Sequence, residues 1–273
     1  MTESASQWGQ AFRRGSMTAM DAYDRVVAHI FEPWAHDVVE RLSPKRGDAV
    51  LDVACGPGTV TFLLAEAVRS SGHVIATDIS PAMLAIGRAK QASGAPIEWI
   101  ESPAAPLPVE TDSVEGIVCQ QGLQFFPDKT AALAEMRRVL VPGGRALVST
   151  WTAVEEQDLF GDVQASVASA WSTELGERYK GPFSMTGEEG AERAKAAGFA
   201  NVQLERVTLP VRLEGGAPML FDSLPASGIA ADFAALDDEG RARLLDELTQ
   251  RTRRLDHDGV LHGTMTSSVL TLS

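Results

Sequence analysis

Apolar residues recur along this chain in short runs separated by amphipathic stretches. Val50, Leu51 and Val53 form the first run and read as a buried parallel strand. His73–Asp78, Ile97–Glu101, Val114–Cys119 and Arg145–Trp151 read the same way. Between these runs the apolar positions fall at helical spacing. They are Phe62, Leu63, Leu64, Ala65 and Val68, then Met83, Leu84 and Ala89, then Leu133, Met136 and Leu140. Strand and helix thus alternate five times, which predicts a parallel sheet with helices on both faces. Ser80-Pro81 supplies a cap and a first-turn proline for the second helix.

Beyond Trp151 the rhythm changes. The pattern predicts a helix from about Asp158 to Leu175, broken at Gly181-Pro182-Phe183, and a second from Glu188 to Ala197, ended by Gly198. Val202 to Leu209 alternates as a sixth strand. Residues 215 to 257 are mostly helical, notably Asp237 to Arg254, and the Thr- and Val-rich run Val260 to Leu272 suits a seventh strand. Ahead of the first strand, Tyr23, Phe31, Pro33 and Trp34 lead into a helix bearing Val38, Val39 and Leu42, and Trp8, Phe12 and Met17 are possible docking points before them. Aromatic residues placed there either fold over a ligand or pack into the core.

The candidate chemistry lies in Val-Leu-Asp-Val-Ala-Cys-Gly-Pro-Gly-Thr, residues 50 to 59. Gly56 and Gly58 allow a tight turn where backbone approaches a ligand, and Thr59 is expected to cap the following helix. A dinucleotide fingerprint needs a third glycine where Thr61 stands. Asp52, inside the strand, would repel a pyrophosphate and welcome a cationic amino-acid group. Asp78, 20 residues after Gly58, ends the second strand and is placed to accept both hydroxyls of a ribose. Each acid alone reads as a solvated turn residue. Together with the glycine turn they fit S-adenosylmethionine better than a dinucleotide.

Composition narrows the setting. The chain has 273 residues, 44% of them hydrophobic, enough for a substantial core. A net charge of −13 argues against nucleic acid or an anionic membrane as partner. Two cysteines argue for a reducing, cytoplasmic setting, and no apolar run is long enough for a membrane span. No Cys, His or carboxylate cluster has metal-ligand spacing.

Val50–Gly58, His73–Met83, Trp99–Pro108, Gln120–Asp128 and Arg137–Arg145 recur in order with family-like spacing. Over about residues 45 to 151 the chain resembles class I S-adenosylmethionine-dependent methyltransferases, in particular small-molecule enzymes of the ubiquinone/menaquinone-biosynthesis type. The resemblance implies an α/β, Rossmann-like, seven-stranded and mostly parallel sheet with helices on both faces and a helical cap. Residues 1–43 would form an amino-terminal arm and 44–151 the cofactor-binding core. Residues 152–273 would supply the cap insertions and the last two strands. Asp52, Ala54 and Gly56 would hold the methionine portion, Gly58 would permit close approach, and Asp78 would take the ribose. Ile79 and Met83 would pack on adenine, with Ala104 and Ala105 on its other face. Gln120 would contact the methionine end, Leu123 and Gln124 would lie near the sulfonium, and Tyr23 and Phe31 would close over the cofactor. Pro103 departs from the family, whose members often carry an Asp there for the adenine amino group.

The activity implied is in-line methyl transfer to a small aromatic or hydrophobic acceptor, leaving S-adenosylhomocysteine. No pattern fixes a general base; His36, Gln124 and His257 are candidates. The alternative is a protein that binds the cofactor without transferring methyl, as a regulator or cofactor-assisted cyclase. Acceptor specificity is expected in residues 153–185, 215–257 and 23–34. The oligomeric state, monomer or homodimer, stays open.

Overall fold

The computed structural model describes residues 22–273. The proposed docking points Trp8, Phe12 and Met17 lie outside the described residues. A π-helical turn, Tyr23–Val27, runs into α1 (Ala28–Leu42), which continues through Pro33. Then follow β1 (Ala49–Val53), α2 (Thr59–Val68), β2 (His73–Asp78), α3 (Pro81–Ala89), β3 (Ile97–Glu101), β4 (Val114–Gln120), α4 (Lys129–Val139) and β5 (Leu140–Trp151). The carboxyl-terminal part holds α5 (Asp158–Ala170), α6 (Thr173–Tyr179), α7 (Gly187–Ala196), β6 (Val202–Glu214), α8 (Gly216–Phe221), α9 (Ala230–Ala235), α10 (Asp238–Thr252), β7 (Asp256–His257) and β8 (Val260–Leu272). Strand order is β3-β2-β1-β4-β5-β8-β6, with β7 paired to β8.

β1 to β5 pair in parallel, in register that sets Asp52 beside Ala76 on β2 and Val118 on β4. The chain divides into two bodies. The larger comprises Trp34–Thr150, Met185–Arg206 and Ser268–Ser273; the smaller comprises 22–33, Trp151–Ser184 and Val207–Ser267. The core of the larger body is built from alternate strand residues and one face of α4. Leu51, Val53, Ile117, Val148, Leu133 and Met136 are each at most 1% exposed. Removing such side chains from water is the main favourable term in folding, worth roughly 1.5–3 kcal/mol each.

In the smaller body the aromatic side chains pack on one another. Phe160 and Phe183 lie 5.7 Å apart between ring centroids, Tyr179 and Phe183 6.4 Å, and Phe221 and Phe233 5.1 Å. Most aromatics of the insertions therefore serve this body's own core. Met185 belongs instead to the core of the larger body. Gln157 is buried within the smaller body; its amide nitrogen donates to Thr152 Oγ1 and to the Thr266 carbonyl, and its oxygen accepts from the Thr266 amide.

Several expectations are corrected. Among the described residues eight strands are present rather than seven, because Asp258 (φ 56°) and Gly259 (φ 83°) turn the two-residue β7 back onto β8. Thr59 does not cap α2: the cap residue is Gly58, left-handed at φ 93°, with no side-chain cap bond. The buried face of α2 is Val60, Thr61, Leu64, Ala65 and Val68, with Phe62 and Leu63 half-buried. β5 starts at Leu140 rather than at Arg145 and takes in Pro142–Gly144. Val114 faces Leu140 while Gly116 faces Arg145, so extra residues bulge out of β5 around Gly143 at φ 84°. The helix expected over Asp158–Leu175 splits in two because the Ser172 hydroxyl caps a new start at the Leu175 amide. β6 runs on to Glu214 rather than ending at Leu209. Among the described residues no helix is long and apolar enough to cross a membrane.

Candidate functional site

β1 carries Asp52 to the sheet's carboxyl edge with its side chain 1% exposed. An ionised carboxylate there is costly, so it needs a donor. Thr61, wholly buried on the first turn of α2, donates its hydroxyl to Asp52 Oδ2 at 2.6 Å. Burial pushes the Asp52 carboxyl up to about 7, the Thr61 bond opposes this, and the nearby Asp78 charge adds to it. The chain then turns sharply. Ala54 is left-handed at φ 60°, Gly56 at φ 54° and Gly58 at φ 93°, and the Gly58 amide closes the turn onto the Cys55 carbonyl at 3.0 Å.

Asp78, at the end of β2, clamps this turn. Its Oδ2 accepts from the Gly56 amide and its Oδ1 from the Ser80 amide, each at 2.8 Å. Burial raises this carboxyl above its usual range, against the amides of Ser80, Gly56 and Ile79, which pull it down. A carboxylate has about four lone-pair directions, so capacity remains for hydroxyl donors. Ser80 in turn caps α3 through the Met83 amide at 3.4 Å. The Ser102 amide donates to the Asp78 carbonyl at 2.9 Å, which brings the 102–106 loop, with half-buried Ala104 and Ala105, to the same edge.

The two loop glycines differ. A Cβ on Gly56 would meet nothing within 4 Å, whereas one on Gly58 would lie 2.7 Å from the rings of both Phe62 and Trp99. The close approach at Gly58 is thus made by the protein's own aromatic pair, 5.8 Å apart, and the open face belongs to Gly56. On the other side, a Cβ on Gly122 would lie 2.8 Å from Ala54 Cβ. The turn after β4 therefore rests directly on the glycine loop.

Among the sequence-derived candidates, Asp52, Ala54, Gly56, Asp78, Ile79, Ala104 and Ala105 gather at this edge of the larger body. Met83 (3% exposed) and Leu123 (0%) are buried there, Leu123 within the main core cluster. Gln120 ends β4 half-buried, and Gln124 follows in a short 3-10 turn, 2% exposed. His36 is exposed on α1. Tyr23 and Phe31 belong to the smaller body, where their rings meet at 6.1 Å and Phe31 meets Trp151 at 5.1 Å. His257 is also in that body, exposed, its ring 5.5 Å from His262. Thr61 is the residue the sequence reading missed. In the sequence it marks only the absence of a third glycine, although a hydroxyl one helical turn past the glycines is within reach of a strand acid. Among the described residues no group of three or more His, Cys, Asp or Glu is placed to hold a metal ion.

A buried acid, a glycine with an open face and a second acid with spare acceptor capacity suit the cationic amino acid, the backbone approach and the ribose of S-adenosylmethionine. The sequence pattern of the ubiE/COQ5 methyltransferase family matches residues 15–161, more than half of the chain. The chain belongs to that family. The chloroplastic 2-phytyl-1,4-beta-naphthoquinone methyltransferase of Arabidopsis thaliana is 32% identical over 185 residues, 62% of this chain and 70% of that protein. The demethylmenaquinone methyltransferase of Staphylococcus aureus (strain MRSA252) is 39% identical over 111 residues, 41% of this chain and 46% of that one. In fold, the chain is similar to the Haemonchus contortus phosphoethanolamine N-methyltransferase 2, with a TM-score of 0.58 at 17% identity over 97% of this chain and 58% of that one. The family's cofactor is S-adenosylmethionine, and the residues at this edge fit it.

Proposed function

We propose that the protein transfers a methyl group from S-adenosylmethionine to a small hydrophobic aromatic acceptor of the quinone class, taken in its reduced, dihydroxy form. When bound, the cofactor supplies an electrophilic methyl on a sulfonium, and the C–S pair stays with sulfur as S-adenosylhomocysteine. An oxidised quinone ring is electron-poor; the reduced ring has the nucleophilic carbon that such a methyl needs. On C-methylation that carbon loses one proton, so the acceptor gains CH3 in place of H and no outside oxidant or reductant is consumed.

The chain's own contribution is positioning. Asp52, held by Thr61, faces the amino-acid end; Gly56 leaves its open face to it; Asp78 takes the ribose while holding the loop. No side chain is assigned as general base, and the ring proton passes to solvent. The observation that carries this reading is the Asp78 carboxylate bonding Gly56 and Ser80 beside the one loop glycine with an open face. The acceptor class is supported by the quinone methyltransferases named among the relatives. A cofactor binder without transfer draws no support from them. The two free cysteines suit a cytoplasmic, reducing setting, and the acidic net charge suits a partner list without nucleic acid.

Calorimetry with S-adenosylhomocysteine and an anaerobic assay with 1,4-dihydroxynaphthalene test the proposal. Saturable cofactor binding and a methylated naphthalene product are expected. Binding of NAD in preference to S-adenosylhomocysteine, or no transfer to reduced quinones, would overturn it.

A further inference from the structure

Among the described residues of the larger body, the Gln124 and Ser149 side chains are buried without a protein hydrogen-bond partner. Both carboxamide atoms of Gln124 lack a protein partner at 2% exposure, and the Ser149 hydroxyl lacks one at 0%. A buried polar group left unpaired is destabilising, so such a group marks a place where a water or a ligand group can complete the bonding.

Their placement says where that group would lie. β1, β4 and β5 are parallel, and Asp52 pairs with Val118, which pairs with Leu147. Paired residues in neighbouring strands share a face, and side chains two positions on share it again. Gln120 and Ser149, themselves a register pair, are each two positions further on. Ser149 therefore emerges on the same face as Asp52, just beyond the end of β1. The Gln121 amide donates to the Ser149 carbonyl at 3.0 Å, which ties the turn bearing Gln124 to this strand end. Gly122, in the same turn, rests on Ala54 of the glycine loop.

We infer that Gln124 and Ser149 form the polar subsite that recognises a ring oxygen of the methyl acceptor, a specificity the family assignment does not supply. The inference rests on the proposed acceptor class and names the residues that read it. The chemistry of the pair suits a neutral ligand oxygen. Neither side chain ionises, and both donate and accept, which matches a phenolic hydroxyl or a ring carbonyl. The cationic part of the cofactor is already faced by Asp52, and its ribose by Asp78. A neutral oxygen-bearing ring is a partner that a neutral amide and hydroxyl one step past the glycine loop can bond from both sides.

The test measures binding rather than turnover. The probes are 1,4-dihydroxynaphthalene and naphthalene, titrated anaerobically into protein saturated with S-adenosylhomocysteine. The wild type should bind the diol at least tenfold more tightly than naphthalene. Gln124→Met keeps side-chain length and removes the amide; it should weaken diol binding about tenfold and leave naphthalene and S-adenosylhomocysteine binding unchanged within twofold. Ser149→Ala should act in the same direction. Because no group of the protein bonds the amide, Gln124→Met should also melt no lower than wild type. Equal losses for both probes, lost S-adenosylhomocysteine affinity, a lower melting temperature for Gln124→Met, or no diol preference in the wild type would each overturn the inference. Diol binding that behaves as expected without methyl transfer would overturn the proposed function and leave this subsite standing.

Discussion

Thr61 donates its hydroxyl to Asp52 across 2.6 Å, joining the first turn of α2 to the strand that precedes the glycine loop. Both side chains are buried. The bond fixes the acid's orientation and is the chief influence opposing its protonation. Thr61→Val keeps the shape and removes the donor. It should move the Asp52 titration upward and weaken S-adenosylmethionine binding at pH 7 by about five- to tenfold, on the order of 1 kcal/mol. Calorimetry at pH 7 and pH 8.5 checks this; a variant that binds as wild type at both pH values would show that the bond does not govern the site.

The raised Asp52 value makes a statement about stability. The folded carboxyl titrates near 7 against an ordinary value of 3.8. The folded state thus binds this proton more tightly than the unfolded chain does. Its stabilising contribution is complete below about pH 4 and is lost as pH rises through about 7. Asp52→Asn should flatten that part of the unliganded protein's stability profile, read by thermal melts from pH 4 to 8.

A ligand with net positive charge favours the ionised acid. Binding of S-adenosylmethionine should therefore tighten as pH rises through 7 and release protons when it occurs below that value. Heats measured in two buffers of different ionisation enthalpy give the proton count directly. Zero release at pH 6.5 would separate Asp52 from the cationic end of the cofactor.

Much of this site was legible in the sequence because it is written locally. The strand residues around Asp52, the glycine turn and the Ser80-Pro81 helix start each specify their own backbone within a few positions, and all three stand where the pattern put them. What could not be read depends on side chains meeting across the fold. That Thr61 bonds Asp52, and that Gly58 is a glycine on account of Phe62 and Trp99, needs α2 and β3 in place. The break at Ser172 and the bulge at Gly143 were hidden for a different reason. A capping serine inside a helical run, or a Pro-Gly-Gly inside a strand, reads equally well as an ordinary surface residue or as a terminus.

Asp78 holds two amides of different elements, so its replacement should act on the loop as well as on a ligand. Asp78→Ala leaves the Gly56 and Ser80 amides without this acceptor. Binding of S-adenosylhomocysteine should weaken by about 1.5–3 kcal/mol, the range for hydrogen bonds to a charged group. Asp78→Asn, which keeps one acceptor oxygen, should lie between that variant and wild type. Hydrogen exchange at the Gly56 and Ser80 amides should quicken in Asp78→Ala even without ligand, which a purely ligand-facing acid would not cause.

The two loop glycines provide the sharpest separation of stability from binding. Gly58 sits at φ 93° with two aromatic rings 2.7 Å from where a Cβ would be. Gly58→Ala must strain the backbone and displace Phe62 or Trp99, together about 3 kcal/mol. Gly56 sits at φ 54° with open space around its Cβ position. Its neighbour Ala54 already occupies a left-handed backbone at φ 60° in the same loop, so alanine is tolerated in that geometry. Gly56→Ala should therefore destabilise by only about 1 kcal/mol, a fall of roughly 3 °C in melting temperature. Yet the new methyl fills the face left open for the cofactor backbone, and affinity for S-adenosylhomocysteine should drop by more than tenfold, on the order of 1.4 kcal/mol or more. Gly58→Ala should show the reverse: a large fall in melting temperature, with the folded fraction retaining affinity within a few-fold. Melts and calorimetry on the same two preparations decide the matter. A Gly56→Ala protein that binds as wild type would place the cofactor elsewhere than on this turn.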